Sequence, residues 1–492
     1  MKLCLIGHSF KYELEKLIRI FLPFEKIEFC EEPYYLDAAV TELKTAKEKT
    51  VLSAALYVEN GKYSCKKELS NSAADYESEC ERLLAAALFE CFKSASGYTP
   101  EWGILTGVRP AKLFSRLTAE NGGEKAEERF RDALYVSENK ISLCRETVCE
   151  EERITALSRG DSFSLYVSVP FCPTRCSYCS FVSHSVENAG RLIPDYIKCV
   201  MREIEYTGKI AKQAGLRLET VYIGGGTPTA LTAEQLGEIM SAINGAFDLE
   251  HLREYTVEAG RPDTVTREKL ETIRNAGAGR ISINPQTMND DVLKIIGRKH
   301  TAEDTAAAFG LARKCGIGNI NMDLIAGLPG DTFESFRKTL DRVLELDPES
   351  ITVHSLSMKR ASTLTANGLF PEAKAGAEAA LMVEYARKTL GCNGYRPYYM
   401  YRQSKTVGNL ENVGYAKEGS ECFYNVYTMD ETHTILACGA SAVSKLREPG
   451  GSYIERIFNY KYPYEYIDRF DEILRRKDGI LPFYEKYPGK DQ

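Results

Sequence analysis

Tryptophan is almost absent, with Trp102 alone among 492 residues, and no stretch approaches the ~20 consecutive apolar residues that a membrane span needs. The opening MKLCLIGHSF lacks the charged-then-apolar order of a secretory leader, so the chain is expected to be cytoplasmic, with no membrane span. Bulk charge is scarce too: 63 Lys and Arg against 70 Asp and Glu leave a formal net charge of -7. That excludes bulk electrostatic attraction to nucleic acid or anionic lipid, though not a local basic pocket for a small anion. Dense cysteine is missing as well. The 15 cysteines are odd in number and scattered from Cys4 to Cys438, which excludes a disulfide scaffold and leaves most of them as small buried hydrophobes.

What is present is a globular composition, 43% hydrophobic and 27% charged, in a chain long enough for two to four domains. Residues 1–155 read as a separate α/β domain. KLCLIG and TVLSAALYVEN are strand-like there, and YELEKLIRIFL and SECERLLAAALFECFKSA have helical spacing. No chemical constellation occurs in that segment. Residues 160–371 then alternate short apolar runs with helical stretches: YVSVP, TVYIGG, YTVEAG, RISINPQ, INMDLIAGLP and SITVHSL each begin such a step. TAEQ, beginning at Thr232, reads as a helix-opening capping box. Six strand–helix steps imply an α/β fold with a parallel sheet and right-handed crossovers, short of a full eight-unit barrel. Residues 372–492 lose the rhythm and read as a small mixed C-terminal domain, opening on one helix through AKAGAEAALMVEYARKTLG.

One segment carries chemistry. In SLYVSVPFCPTRCSYCSF, Cys172, Cys176 and Cys179 are spaced C-x3-C-x2-C directly after a predicted strand. Three thiolates from one tight loop suit a soft metal. A zinc site needs a fourth ligand or a water, and His184 stands five residues past Cys179. A four-iron cluster held by three thiolates keeps one iron open, whereas electron-transfer clusters are usually closed by four. Further along, GGGTPT (224–229) follows a strand, where glycines let a ligand approach the backbone. Glu258, Gln286, Arg298 and Asp323 fall at or just past strand ends, the face where barrels place their sites.

C-x3-C-x2-C with Tyr178 before its last cysteine resembles the radical S-adenosylmethionine (SAM) signature, whose members fold as a partial barrel of six βα units. Together with GGGTPT, EAGRPD, RISINPQT, NMDLIAGLPG and ILACGASAVSK, it resembles the oxygen-independent coproporphyrinogen III oxidases, and EAGRPD, INPQT, TGVRP and the long N-terminal segment are most similar to their HemZ branch. The resemblance implies a [4Fe–4S] cluster on Cys172, Cys176 and Cys179 and one or two SAM molecules. It implies contacts to a first SAM from Tyr166, Gly225, Glu258 and, in a looser match, Ser357. Around a second it implies Tyr178, Gly226, Thr227, Gln286, Arg298 and Asp323, with Tyr178, Gln286 and Arg298 nearest the chemistry. Coproporphyrinogen III would be the tetrapyrrole substrate, and a flavodoxin or ferredoxin the electron donor. One position departs from the pattern: Phe181 stands where the dehydrogenases carry a fourth cysteine, as it does in the haem-chaperone relatives. A haem chaperone or a haem-modifying enzyme on the same scaffold therefore stays open beside the dehydrogenase.

Overall fold

The computed structural model describes residues 1–59, 61–179, 183–357 and 371–487. Phe181 therefore lies outside the described residues. The chain divides into two compact units, one formed by residues 1–146, 355–385 and 400–412 and the other by residues 147–354, 386–399 and 413–492.

The first unit is built on five strands, β1 (Lys2–Ile6), β2 (Glu28–Cys30), β3 (Ala38–Thr45), β4 (Lys49–Val58) and β5 (Gly61–Ser70), ordered β2-β1-β3-β4-β5. The strand and helix expected from KLCLIG and YELEKLIRIFL form as β1 and the helix Lys11–Phe21. The helix Tyr76–Ser96 follows the sheet and buries Leu84, Leu88, Phe89 and Phe92. Phe21 and Phe92 stack with ring centroids 5.1 Å apart, fastening one helix to the other. β2, β3 and β5 were not read from the sequence; β5, GKYSCKKELS, carries too little apolar alternation to stand out. Cys4 departs from the expected buried thiol. The parallel register of β1 and β2 sets Cys4 directly beside Cys30, and the two are disulfide-bonded. Trp102 is buried in this unit, its indole N–H donating to Glu411 at 2.7 Å, and Lys140 donates to the same carboxylate at 2.6 Å.

The second unit contains the predicted strand–helix series. Its strands begin with β6 (Ser162–Val169), β7 (Phe171–Cys172), β8 (His184–Ser185), β9 (Arg217–Gly225), β10 (Glu254–Glu258), β11 (Arg280–Ser282), β12 (Asn319–Ala326) and β13 (Ser350–Ser355). They continue with β14 (Arg396–Arg402), of which 396–399 belong to this unit, β15 (Glu411–Ala416), of which 413–416 do, β16 (Thr434–Cys438), β17 (Val443–Arg447) and β18 (Ile454–Phe458). β6, β9, β10, β11 and β12 pair in parallel, each with the next. Helices Ile193–Gln213, Ala233–Ala246, Arg267–Asn275, Ala302–Lys314 and Phe333–Leu346 make the connections. The capping box at Thr232 forms: its hydroxyl accepts from the Gln235 amide at 3.2 Å, and Gln235 Oε1 accepts from the Thr232 amide at 3.0 Å. The run expected as one strand over RISINPQ is ordered only through Ser282, after which the chain turns toward the strand ends.

The expected separate C-terminal domain does not form. Residues 413–487 instead extend the sheet of the second unit: β16 pairs in parallel with β6, and β15 pairs antiparallel with β13. β6 and β13 would otherwise present unpaired backbone groups along their edges, and these late strands satisfy them. Residues 372–385 and 400–412 belong to the first unit.

Candidate active site

The cysteine loop leaves β6 and is tied down by three neighbouring loops. Cys172 ends the short strand β7, and its sulfur accepts from Thr227 Oγ1 at 3.5 Å. The sulfur of Cys176 accepts from Arg261 Nη1 at 3.7 Å, and the same nitrogen donates to Thr174 Oγ1 at 3.1 Å. The Ser177 amide donates to the Ile296 carbonyl at 3.2 Å, and Arg298 Nη2 donates to the Tyr178 hydroxyl at 3.0 Å. The loops after β9, β10 and β11 thus each hold one part of C-x3-C-x2-C, all at the strands' C-terminal ends.

The glycine-rich turn after β9 fastens the start of that loop. The amides of Gly226 and Thr227 donate to the carbonyls of Val169 and Phe171 at 2.8 and 2.7 Å. A Cβ on Gly226 would meet those carbonyl oxygens at 2.8 and 2.6 Å, so the missing side chain is required by the protein's own close packing. Gly225 has φ +109, and a Cβ there would lie 3.0 Å from Ser168 Oγ. β6 and β7 thus approach both glycines closely.

Glu258 ends β10 beside this turn. Tyr222 donates to its Oε1 at 2.6 Å, and the Gly225 amide donates to the same carboxyl group. Burial pushes the Glu258 carboxyl up to about 7, against the lowering effect of these two donors. Asp323 on β12 behaves oppositely. Burial opposes its ionisation, but His354, Asn321 and Thr352 outweigh that and hold it below the usual carboxylate range. Asn321 Nδ2 lies 2.7 Å from Asp323 Oδ1, and His354 Nε2 is 3.8 Å from Oδ2.

Gln286 and Arg298 are both buried. Gln286 adopts φ +69, is 6% exposed, and locks its backbone to β12 through the Asp323 carbonyl and the Ile325 amide at 2.9 and 3.0 Å. Its side-chain oxygen is buried with no hydrogen-bond partner among the described residues. A non-glycine residue in the left-handed region with an unsatisfied amide oxygen is strain that such sites tolerate. Arg298 turns inward from its helix end and is 8% exposed. Its terminal nitrogens are engaged: Nη1 donates to the carbonyls of Asn284 and Gly260 at 2.5 and 3.4 Å, Nη2 to Tyr178, while Nε is buried with no partner among the described residues.

Ser357 lies in the first unit, where it forms an isolated bridge with Thr406. Four residues escaped the sequence reading. Tyr222 lies on the same face of β9 as Gly224, so alternation could have found it, and His354 sits on the last predicted strand. Arg261 stands inside EAGRPD yet has no signal of its own. Tyr424 comes from a distant helix and stacks on Tyr222, ring centroids 4.5 Å apart, with Tyr166 6.3 Å from Tyr222.

The three cysteines are partly exposed, and the sulfurs of Cys172 and Cys176 accept hydrogen bonds from a hydroxyl and a guanidinium. That donor set fits an iron–sulfur cluster by its chemistry. The ring of His184 packs edge-on against Tyr462. Residues 166–343 match the radical SAM superfamily. Over 82% of this chain and 81% of the relative, the sequence is 40% identical to the oxygen-independent coproporphyrinogen-III oxidase-like protein HemZ of Bacillus subtilis. The chain belongs to the radical SAM superfamily, in its oxygen-independent coproporphyrinogen III oxidase family. Superfamily membership implies a [4Fe–4S] cluster and SAM. The family also holds proteins named otherwise: heme chaperone HemW of Haemophilus influenzae is 32% identical, over 62% of this chain and 75% of its own. The solved structure of the radical SAM enzyme HemN, the Escherichia coli coproporphyrinogen III oxidase, shares the fold, with TM-score 0.50 and 23% identity over 66% of this chain and 73% of that one. No helix among the described residues is long and apolar enough to cross a membrane.

Proposed function

We propose that this protein is an oxygen-independent coproporphyrinogen III dehydrogenase, converting two propionate side chains to vinyl groups and giving protoporphyrinogen IX in haem biosynthesis. The observation that carries the reading is the 40% identity to the oxidase-like HemZ across 82% of the chain, well beyond the matched barrel. When bound, the cluster and SAM supply a 5′-deoxyadenosyl radical that takes a hydrogen atom from the β-carbon of a propionate. The propionate then loses carbon dioxide and gives one electron to an external acceptor, leaving the vinyl group.

The chain's own residues bind and orient. Cys172, Cys176 and Cys179 would hold the cluster and leave one iron open. Glu258 supplies a half-buried acceptor for an ammonium group, and a cation there would keep it ionised. Tyr166, Gly225 and Ser357 are assigned to that first SAM, and Gly226, Thr227, Gln286 and Asp323 to a second. Arg298 Nε and Gln286 Oε1 are a buried donor and acceptor available to polar groups of SAM or substrate. Tyr178 holds the Arg298 guanidinium in place. Closure of the site against water serves the radical step by preventing side reactions.

The decisive experiment is anaerobic incubation with SAM, reductant and coproporphyrinogen III, followed by mass analysis of the porphyrins. Loss of two carboxyl groups is expected, and an unchanged tetrapyrrole mass overturns the reading. A haem chaperone is the second reading, favoured by Phe181 and by a relative named HemW in Bacillus subtilis, 39% identical over 39% of this chain and 50% of its own. It predicts haem transfer with no SAM consumed.

A further inference from the structure

We propose that Arg261 is a positioning residue for the iron–sulfur cluster, aiming one N–H at the Cys176 sulfur and so setting the reduction potential of the cluster. The inference rests on the cluster that superfamily membership implies, and it is indifferent to which tetrapyrrole reaction follows.

Arg261 is 3% exposed and held at several points. Asp263 accepts from its Nε at 3.0 Å and from Nη2 at 3.1 Å, one carboxylate oxygen to each nitrogen. This two-bond grip fixes the plane of the guanidinium. Nη1 is left on the far side, 3.1 Å from Thr174 Oγ1 and 3.7 Å from Cys176 Sγ. Pro262, between the two charged residues, opens a short turn, so Arg261 and Asp263 leave one rigid corner at the end of β10. Asp263 also cancels the charge of Arg261, so the pair brings no net charge to the loop. What it brings is a directed N–H.

Hydrogen bonds to cluster sulfurs stabilise the more negative, reduced state and raise the potential. Cys172 receives a hydroxyl from Thr227, and Cys176 receives the stronger, charge-assisted donor. A purely structural role for Arg261, pinning the loop through Thr174, would leave the potential alone.

The test is a redox titration of the anaerobically purified full chain, followed by electron paramagnetic resonance, with iron content measured on the same samples. The double variant R261M/D263N removes both charges together, so net charge at the loop is unchanged and the N–H···S bond is lost. We expect full iron with a midpoint more negative than wild type. A wild-type midpoint in an iron-replete double variant overturns the proposal. Should that variant lose its iron, R261K carries the test: it keeps the charge beside Asp263 but not the fork. A more negative midpoint supports the proposal and a wild-type midpoint overturns it. Iron missing from the wild-type chain overturns the cluster itself, an outcome distinct from an unshifted midpoint.

Discussion

At the scale of single residues, Cys172, Cys176 and Cys179 and Glu258 make separable demands. Replacing any one of the three cysteines with Ala should remove the iron, since a cluster already short of a fourth protein ligand has none to spare. Cys199, within a helix, and Cys315, capping another, should tolerate the same change with iron content intact. Iron retained in Cys176→Ala would sink the assignment. Glu258 tests the SAM site through pH. Its carboxyl is pushed up to about 7 by burial, above its unfolded value, so its protonated form favours the fold. That stabilising contribution is complete below the unfolded carboxylate pKa and is lost as pH rises through about 7. Glu258→Gln should therefore raise the melting temperature more at pH 8 than at pH 5. An ammonium ligand needs the ionised form, so SAM affinity in wild type should fall about tenfold per unit as pH drops below the Glu258 value. Glu258→Gln should bind SAM weakly at every pH. Calorimetric titration at several pH values on the reconstituted protein checks this, and a pH-independent wild-type affinity would show that Glu258 does not face the ammonium.

At the scale of elements, the glycine-rich turn joins two strands and the cysteine loop. Gly226→Ala drives a methyl into the carbonyls of Val169 and Phe171, and overpacking of this kind typically costs about 1–3 kcal/mol. The same carbonyls accept the amides that hold the loop, so the melting temperature and the iron content should fall together, whereas Glu258→Gln leaves iron near wild type. Thermal melts with iron assays decide it; a Gly226→Ala chain with normal stability would contradict the close approach. This element also marks what the sequence makes legible. C-x3-C-x2-C, GGGTPT and the strand ends at Glu258 and Asp323 are local patterns, written within single βα steps, and local periodicity reads them. Arg261 reaching Cys176, Tyr424 stacking on Tyr222 and the inward turn of Arg298 are long-range meetings fixed by packing, which no window of sequence contains.

At the scale of the whole molecule, the boundary near residue 372 misled because composition changes there while the sheet does not end. β16 completes the sheet beside β6, the strand that leads into the cysteines, and a buried ionic network fixes it in place. Glu203, on the helix Ile193–Gln213, accepts from the Gly439 amide at 2.7 Å, Asn459 Nδ2 at 2.7 Å and the Tyr466 hydroxyl at 2.6 Å. Lys477 lies 3.1 Å from it and donates to the Ala437 carbonyl of β16 at 2.8 Å. Both charges are fully enclosed, so the pair matters less for its net attraction than for what its loss would strand. Lys477→Met leaves the Glu203 carboxylate buried without its counter-charge, which typically costs about 3–5 kcal/mol. Adding Glu203→Gln removes that stranded charge, and the amide can still accept from Gly439, Asn459 or Tyr466. The double variant should therefore be more stable than Lys477→Met alone. Urea unfolding followed by far-UV circular dichroism measures both, and the order of the two midpoints is the point at issue. If the C-terminal strands were a detachable domain, Lys477→Met would leave the barrel's transition at its wild-type midpoint. If they are part of the barrel, that transition moves down in the single variant and recovers in the double.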